Sequence, residues 1–491
     1  VGSAIGILCL GVCVVVFVLE MIAAKWNWNE FASAFKTAVA LAVAAIEKVA
    51  GKIINKSLCE VPGGWLALAM TEEGKRLVFA SKEESQLGKM LIAERTGEEN
   101  GVNVAVMQLN SNNGAAVRRF VKWAAPSACG TKGTSVGFSD WVGAADAFAA
   151  ELFAKRQMKP VLVDYTADNS AALKRNFLEA VDTATWGVME NGYKEGYGAN
   201  AAGLKTEEDI VKALLYGYSM VGFDCSEKID LSLEKLSDEA VEKRYNELNE
   251  VFRAALAASY LNAEFKVGSN TVKFTEEQLR RIVMEYGEAI MHVQFIYNSY
   301  LKNTPWDIDF ELSLSKPGKM LTVQEHYLIA NELQRNNIKL ASICLDGMQE
   351  QEALKEDLQV HCEIADTFGY RLSFCNADLA QVDFASANKF LKGKVHFKLT
   401  NVLWLAALQM IAANNAELMG KIAAAAELEV ATAEELTAET EIGKAYALAY
   451  AKVLGTDAGN MSAEIKDYLL ANQNDYATSV TKNVEFYLKK F

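Results

Sequence analysis

From about residue 115 to 470 the chain alternates short β-type runs with helical ones, and nothing else in it limits the fold so strongly. Strand-like runs stand at Pro160–Tyr165, Tyr218–Asp224, Phe310–Leu314, Ile338–Leu345, Arg371–Cys375 and Val395–Leu399. Helical periodicity covers 170–191, 238–259, 275–302, 322–335, 354–367 and 401–427. Parallel strands need a crossover long enough to carry a helix, so repeated βα units read as a parallel sheet. Their number predicts an α/β fold with a TIM-barrel-like (β/α)8 core over 115–400. Residues 401–491 read as helices that complete or cover the barrel, with the Ala/Glu-rich stretch 423–441 as a solvated helix or helix pair.

The segment ahead of the barrel is of another kind. Val1 to Leu19 carry no charge, a length sufficient to cross the ~30 Å hydrocarbon layer as a helix. Glu20 is the first charge, and Trp26 follows. The initial Val and the retained apolar run predict a processed membrane anchor or a pilin-like assembly helix. Gly2 and Gly6 have the small-xxx-small spacing that lets helices approach closely, a spacing equally expected by chance in such helices. Phe31, Phe35, Val39, Val43 and Ile46 recur at three or four residues, which extends helix through 29–58. A continuous rod of that kind would reach about 80 Å. Residues 1–58 thus read as anchor or filament core. Residues 60–112 read as a small α/β domain opening with a hairpin, WLALAM to RLVFAS.

Composition narrows the partners. The 491-residue chain has a net charge of −14, which argues against nucleic acid. None of the eight cysteines forms a CxxC pair, so they read as buried small apolar residues, with Cys59 and Cys129 a conceivable bridge. The four histidines leave little for neutral-pH acid–base work. His292 and His361 read as scaffold and His326 as a cap or surface residue; His396 stays open between ligand and core. No phosphate loop or HExxH is present.

The order ATWG, GYKEGYGA and GYSMVGFD over Asp182–Asp224, followed by YGEAIMHVQFIY (286–297), DIDFELS (307–313) and HCEIADTFGYRLS (361–373), resembles the tagaturonate epimerase family. SACGTKG (127–133) resembles that family's glycine-rich SFGTGD. The likeness covers roughly 115–480 and implies a TIM-barrel-like, metal-dependent sugar-acid isomerase.

Several positions depart from the family pattern. Ser226-Glu227-Lys228 stands for Ser-Asp-His, Ser315-Lys316 for Asp-Glu, and Phe374–Ala380 for a turn containing His and Asp-Lys. His396 and Lys398 are kept. A divalent cation needs three or more converging ligands, and the resemblance leaves Asp224, Glu311, Cys375 and His396 as a relic pocket. Lys228 and Lys316 would repel a cation. The sequence therefore predicts a pseudoenzyme without catalytic residues, cofactor or metal. It would be a structural protein of the cell surface, extracellular or membrane-anchored, self-associating through its N-terminal helix (Gly2, Gly6, Glu20, Trp26, Phe31, Phe35) into a homopolymer, with a membrane as partner during biogenesis. The alternatives are an active membrane-tethered epimerase using a divalent metal, and a carbohydrate-binding surface protein with Trp186 and Tyr193 at the old substrate mouth.

Overall fold

A computed structural model describes residues 28–154, 156–314, 316, 319–346, 351–379, 383–455 and 460–491. The chain divides into two units, Val1–Ala116 and Val117–Phe491.

In the first unit, a run of small and β-branched residues lets a helix close down on a sheet. The helix Trp28–Val49 turns Ala42, Ala45 and Ile46 onto Ala67, Ala69, Val78, Ala80, Val104 and Val106. Alanines on the sheet face leave room for close approach, and burial of the aliphatic groups supplies the drive. The antiparallel sheet runs Lys52–Ile53, Gly64–Thr71, Gly74–Ser81, Val102–Met107, Arg95–Glu99, with Cys59–Val61 also on Gly64–Thr71. The expected rod to residue 58 stops short. The helix ends at Val49, and Gly51 follows at φ +126°, where a Cβ would lie 2.4 Å from the Met70 carbonyl oxygen. The described part of that helix is thus core to a small domain, which corrects its reading as filament rod. Gly2, Gly6, Glu20 and Trp26 lie outside the described residues; Phe31 is on the helix, and Phe35 packs edge-on to Trp65 at 5.4 Å. Among the described residues no helix is long and apolar enough to cross a membrane.

The second unit is a closed barrel of eight parallel strands. They are β1 (Thr134–Phe138), β2 (Met158–Thr166), β3 (Gly198–Leu204), β4 (Met220–Asp224), β5 (Asp309–Ser313), β6 (Ser342–Asp346), β7 (Arg371–Cys375) and β8 (Val395–Leu399), and β8 pairs with β1. Outward positions are apolar: Val136, Phe138, Phe310, Leu312, Leu372, Phe374, Val395 and Phe397 are all buried. Many inward positions are polar or glycine. A Cβ on Gly137 would sit 1.9 Å from Asp164 Oδ2, and one on Gly222 3.2 Å from Glu311 Oε1. These two glycines hold space for the charges.

Beyond β8, Val402–Asn414 is buried on nearly every side and takes Gln473–Leu488 against it, with Ser479 donating to the Ala406 carbonyl at 2.7 Å. The stretch 423–441 is not a helix pair. Ala416–Ala426 ends with Glu427 in the left-handed region (φ 59°), and turns braced by Thr432, Glu435 and Thr440 lead to the helix Glu441–Leu448. Local caps overrode the helix propensity of alanine and glutamate.

Candidate active site inside the barrel

Alternation in β5, β7 and β8 turns every second side chain to the barrel axis, so Asp309-x-Glu311, Arg371-x-Ser373 and His396-x-Lys398 all project inward. Several of the bonds they make join strands that are not neighbours, which only the interior permits. Lys398 Nζ bridges from β8 to Glu311 Oε1 on β5 and lies 3.9 Å from Asp164 Oδ1 on β2. Glu311 Oε2 accepts from Ser342 at 2.9 Å and from Ser373. Asp164 accepts from Asn200 Nδ2 at 2.9 Å and meets His396 Nε2 at 3.0 Å. His396 Nδ1 lies 2.9 Å from Ser135 Oγ, which accepts from Arg371 Nη1 at 2.6 Å. The neutral Nε2–H tautomer satisfies this chain in full, because arginine can only donate.

Burial by itself would push the Glu311 carboxyl up, but the Lys398 charge and the Lys398 and Ser373 hydrogen bonds prevail and hold it near 2. Burial would likewise lower the Lys398 ammonium, and Glu311 with Asp164 raises it instead. The axis therefore holds a fixed ammonium between two carboxylates in a low-dielectric interior. Such an arrangement can polarise an oxygen-bearing ligand and move protons along a hydrogen-bonded path.

At the base of the barrel, Asp309 accepts from the backbone N–H groups of Cys129 (2.7 Å) and Gly130 (3.0 Å). The glycine-bearing SACG segment thus grips a protein carboxylate. Arg371 closes this layer; it is wholly buried, and its Nη2 lies 3.8 Å from Asp309.

The expected pocket residues do not converge as a set. Glu311 and His396 both belong to the axial network, linked through Lys398 and Asp164. Asp224 ends β4 half-buried and accepts from the Ser226 N–H at 2.9 Å. Cys375 is bonded to Cys344, so in this form it offers no thiolate, and the conceivable Cys59–Cys129 bridge is not formed. Lys228 pairs with Glu288 at 3.1 Å, and Lys316 sits between Glu285 (2.8 Å) and Glu325 (2.7 Å), so helix carboxylates neutralise both. Trp186 and Tyr193 are buried, on and just beyond the helix Phe177–Asn191. His292 is half-buried between the rings of Phe223 and Phe295. His326 is no surface cap: it is fully buried, with Nδ1 2.8 Å from His361 Nδ1 and Nε2 2.7 Å from the Tyr370 hydroxyl.

A divalent cation, which the resemblance implies, does not fit these side chains. Among the described residues no three His, Cys, Asp or Glu side chains are placed to hold a metal ion, and the oxygens of Glu311 and Asp164 and both ring nitrogens of His396 are committed to protein partners. The residues that the sequence left out of the pocket are Asp164, Asn200, Arg371 and Lys398. Their signal was polar side chains at every second position of parallel strands, which ordinarily read as unbroken apolar runs.

A model of the tagaturonate epimerase family matches residues 54–440. The tagaturonate/fructuronate epimerase of Thermotoga maritima is 27% identical over 385 residues, 76% of this chain and 78% of that protein. Two crystal structures of the fructuronate-tagaturonate epimerase of Cohnella laeviribosi, native and with one glycerol, each superpose with a TM-score of 0.81 at 26% identity, covering 89% of this chain and 96% of theirs. These matches overturn the reading of the chain as a non-catalytic filament subunit, a pseudoenzyme or a membrane-anchored surface protein, since relatives matching across almost the whole barrel unit are named as enzymes. Lost ligand types had suggested a dead pocket, but the barrel axis carries a complete set of paired charges that ligand counting overlooked. By the extent of these matches, the chain belongs to the tagaturonate epimerase family.

Proposed function

We propose that this chain is an epimerase of keto sugar acids, interconverting tagaturonate and fructuronate or a close hexuronate-derived pair. The observation that carries this reading is the near full-length likeness to epimerases from Thermotoga maritima and Cohnella laeviribosi. The barrel axis supplies suitable chemistry. Inverting a carbon bearing a hydroxyl requires charge to develop on oxygen and a proton to be taken up and returned, and both need groups positioned beforehand. In this reading Lys398 is the positive group that steadies developing negative charge. The Asp164–His396 pair exchanges protons, Glu311 stays ionised and holds Lys398 in place, and Arg371 fixes the network from below.

The test follows sugar-acid interconversion by proton NMR, with the purified full chain and tagaturonate or fructuronate supplied separately. The same equilibrium mixture should form from either side. A folded protein that leaves both sugars unchanged, with and without added divalent cations, would refute the assignment.

A further inference from the structure

Cys344 and Cys375 are joined diagonally across β6 and β7: Cys344 stands opposite Ser373 and Cys375 opposite Asp346, with the two cysteine Cα atoms 6.6 Å apart. Each stands two residues beyond a serine that donates to Glu311: Ser342 precedes Cys344 and Ser373 precedes Cys375. Two residues along a strand return to the same face, so the bridge lies on the barrel wall directly above the carboxylate's two hydroxyl donors. Cys344 is buried at 4% exposure, whereas Cys375 is half-buried and so the more accessible of the two. The other three cysteines of the barrel unit are poor nucleophiles. Burial pushes the thiols of Cys129 to about 11 and Cys362 to about 12, and raises Cys225 further. Within the barrel unit, thiol chemistry is thereby concentrated at one pair on the barrel wall.

We propose that Cys344–Cys375 is a reversible thiol–disulfide couple that sets how firmly β6 and β7 hold Glu311, and so regulates the site. This rests on the epimerase reading for its effect on turnover but not for the couple itself. The reductant is a dithiol. Its thiolate attacks Cys375 Sγ, a mixed disulfide forms, the protein S–S bond breaks, and Cys344 Sγ leaves as a thiolate that takes up a proton. The second thiol of the reductant then attacks the mixed disulfide. Cys375 is released as a thiol and the reductant departs as a cyclic disulfide, so two electrons and two protons enter the protein. With the bridge open, the two serines are no longer tied to each other through the wall, and the strand ends gain freedom.

The experiment compares the full chain, oxidised and after dithiothreitol, with a Cys344→Ser/Cys375→Ser variant. Alkylation and peptide mass mapping report the bridge, and hydrogen exchange reports the strands. The expected result is that both cysteines alkylate only after reduction and that the mass change reverses on reoxidation. Exchange across 342–346 and 371–375 should rise about tenfold on reduction and in the double variant alike, with β1 to β3 unchanged. Turnover should shift several-fold in parallel. Free alkylation of both cysteines before reduction, or equal exchange in the two states, would overturn the proposal even if the variant fails to fold. Absent turnover in both states, with exchange still redox-dependent, would remove the epimerase reading and leave the couple standing.

Discussion

Two buried regions of this molecule are built on opposite principles. The core of the first unit is aliphatic throughout, with Ile46, Val78, Val104 and Val106 closing on alanines. The barrel axis is equally buried but lined by Asp164, Glu311, His396, Lys398 and Arg371. The first arrangement gains stability from removing apolar surface from water. The second gains little, because desolvating ions offsets their attraction. A protein that keeps several paired charges in its interior keeps them for a reason other than stability, and here that reason is a fixed electrostatic field at the site.

Substitutions can break this contrast. The largest effect is expected for Lys398→Met. It strands Glu311 and Asp164 without their ammonium, at about 3–5 kcal/mol by urea unfolding, and turnover should fall at least ~100-fold. Ile46→Ala, in the aliphatic core, should cost about 3 kcal/mol of stability as a cavity forms, with KM unchanged in a steady-state assay. If Ile46→Ala alters KM while Lys398→Met does not affect turnover, the division of labour is wrong.

The pair His326–His361 sharpens the comparison, being buried and polar yet outside the axial network. Burial holds the His361 imidazole down to about 4 from an ordinary 6.5, although Asp357 and Glu325 pull it upward. The unfolded chain takes a proton below about 6.5 that the folded chain refuses until about 4. Folding stability should therefore fall as pH drops through that window, by about 3 kcal/mol in total. Denaturation midpoints of His361→Gln should lose that part of the slope; an unchanged slope would show that the pair does not control it. Glu311 acts in another window: its carboxyl is held near 2, so its contribution is present above about 4.5 and lost as pH falls toward 2. The smallest effect is expected for Ser373→Ala, which removes one of two hydroxyls on Glu311. It should cost about 1–2 kcal/mol, with a rise in the lower limb of the pH–rate profile.

The contrast also explains what could be read from the sequence. The strands Arg371–Cys375 and Val395–Leu399 were legible to the residue because their outward positions are large and apolar. Two barrel strands, TSVGF and GANAAGL, were not, because Gly137 makes way for Asp164 and β3 is built of glycine and alanine. Small residues carry no strand preference of their own; the reason for them lies across the barrel. The site was half legible for a related reason. Motif order led to Glu311 and His396, but their partner Asp164 lies in a strand that looked like plain core, and the Cys344–Cys375 bridge joins residues 31 apart that only the register brings together. His326 was misread because its position at a helix start resembled a cap, whereas its ring points into the core beneath Tyr370.

The most direct test of the central claim is to pair Lys398→Met with Glu311→Gln in one chain. Removing both charges should recover most of the stability that Lys398→Met alone loses in urea unfolding, while interconversion of the sugar acids stays absent. A double variant that remains as unstable as the single one, or that retains turnover, would contradict the view that these buried charges serve the chemistry and not the fold.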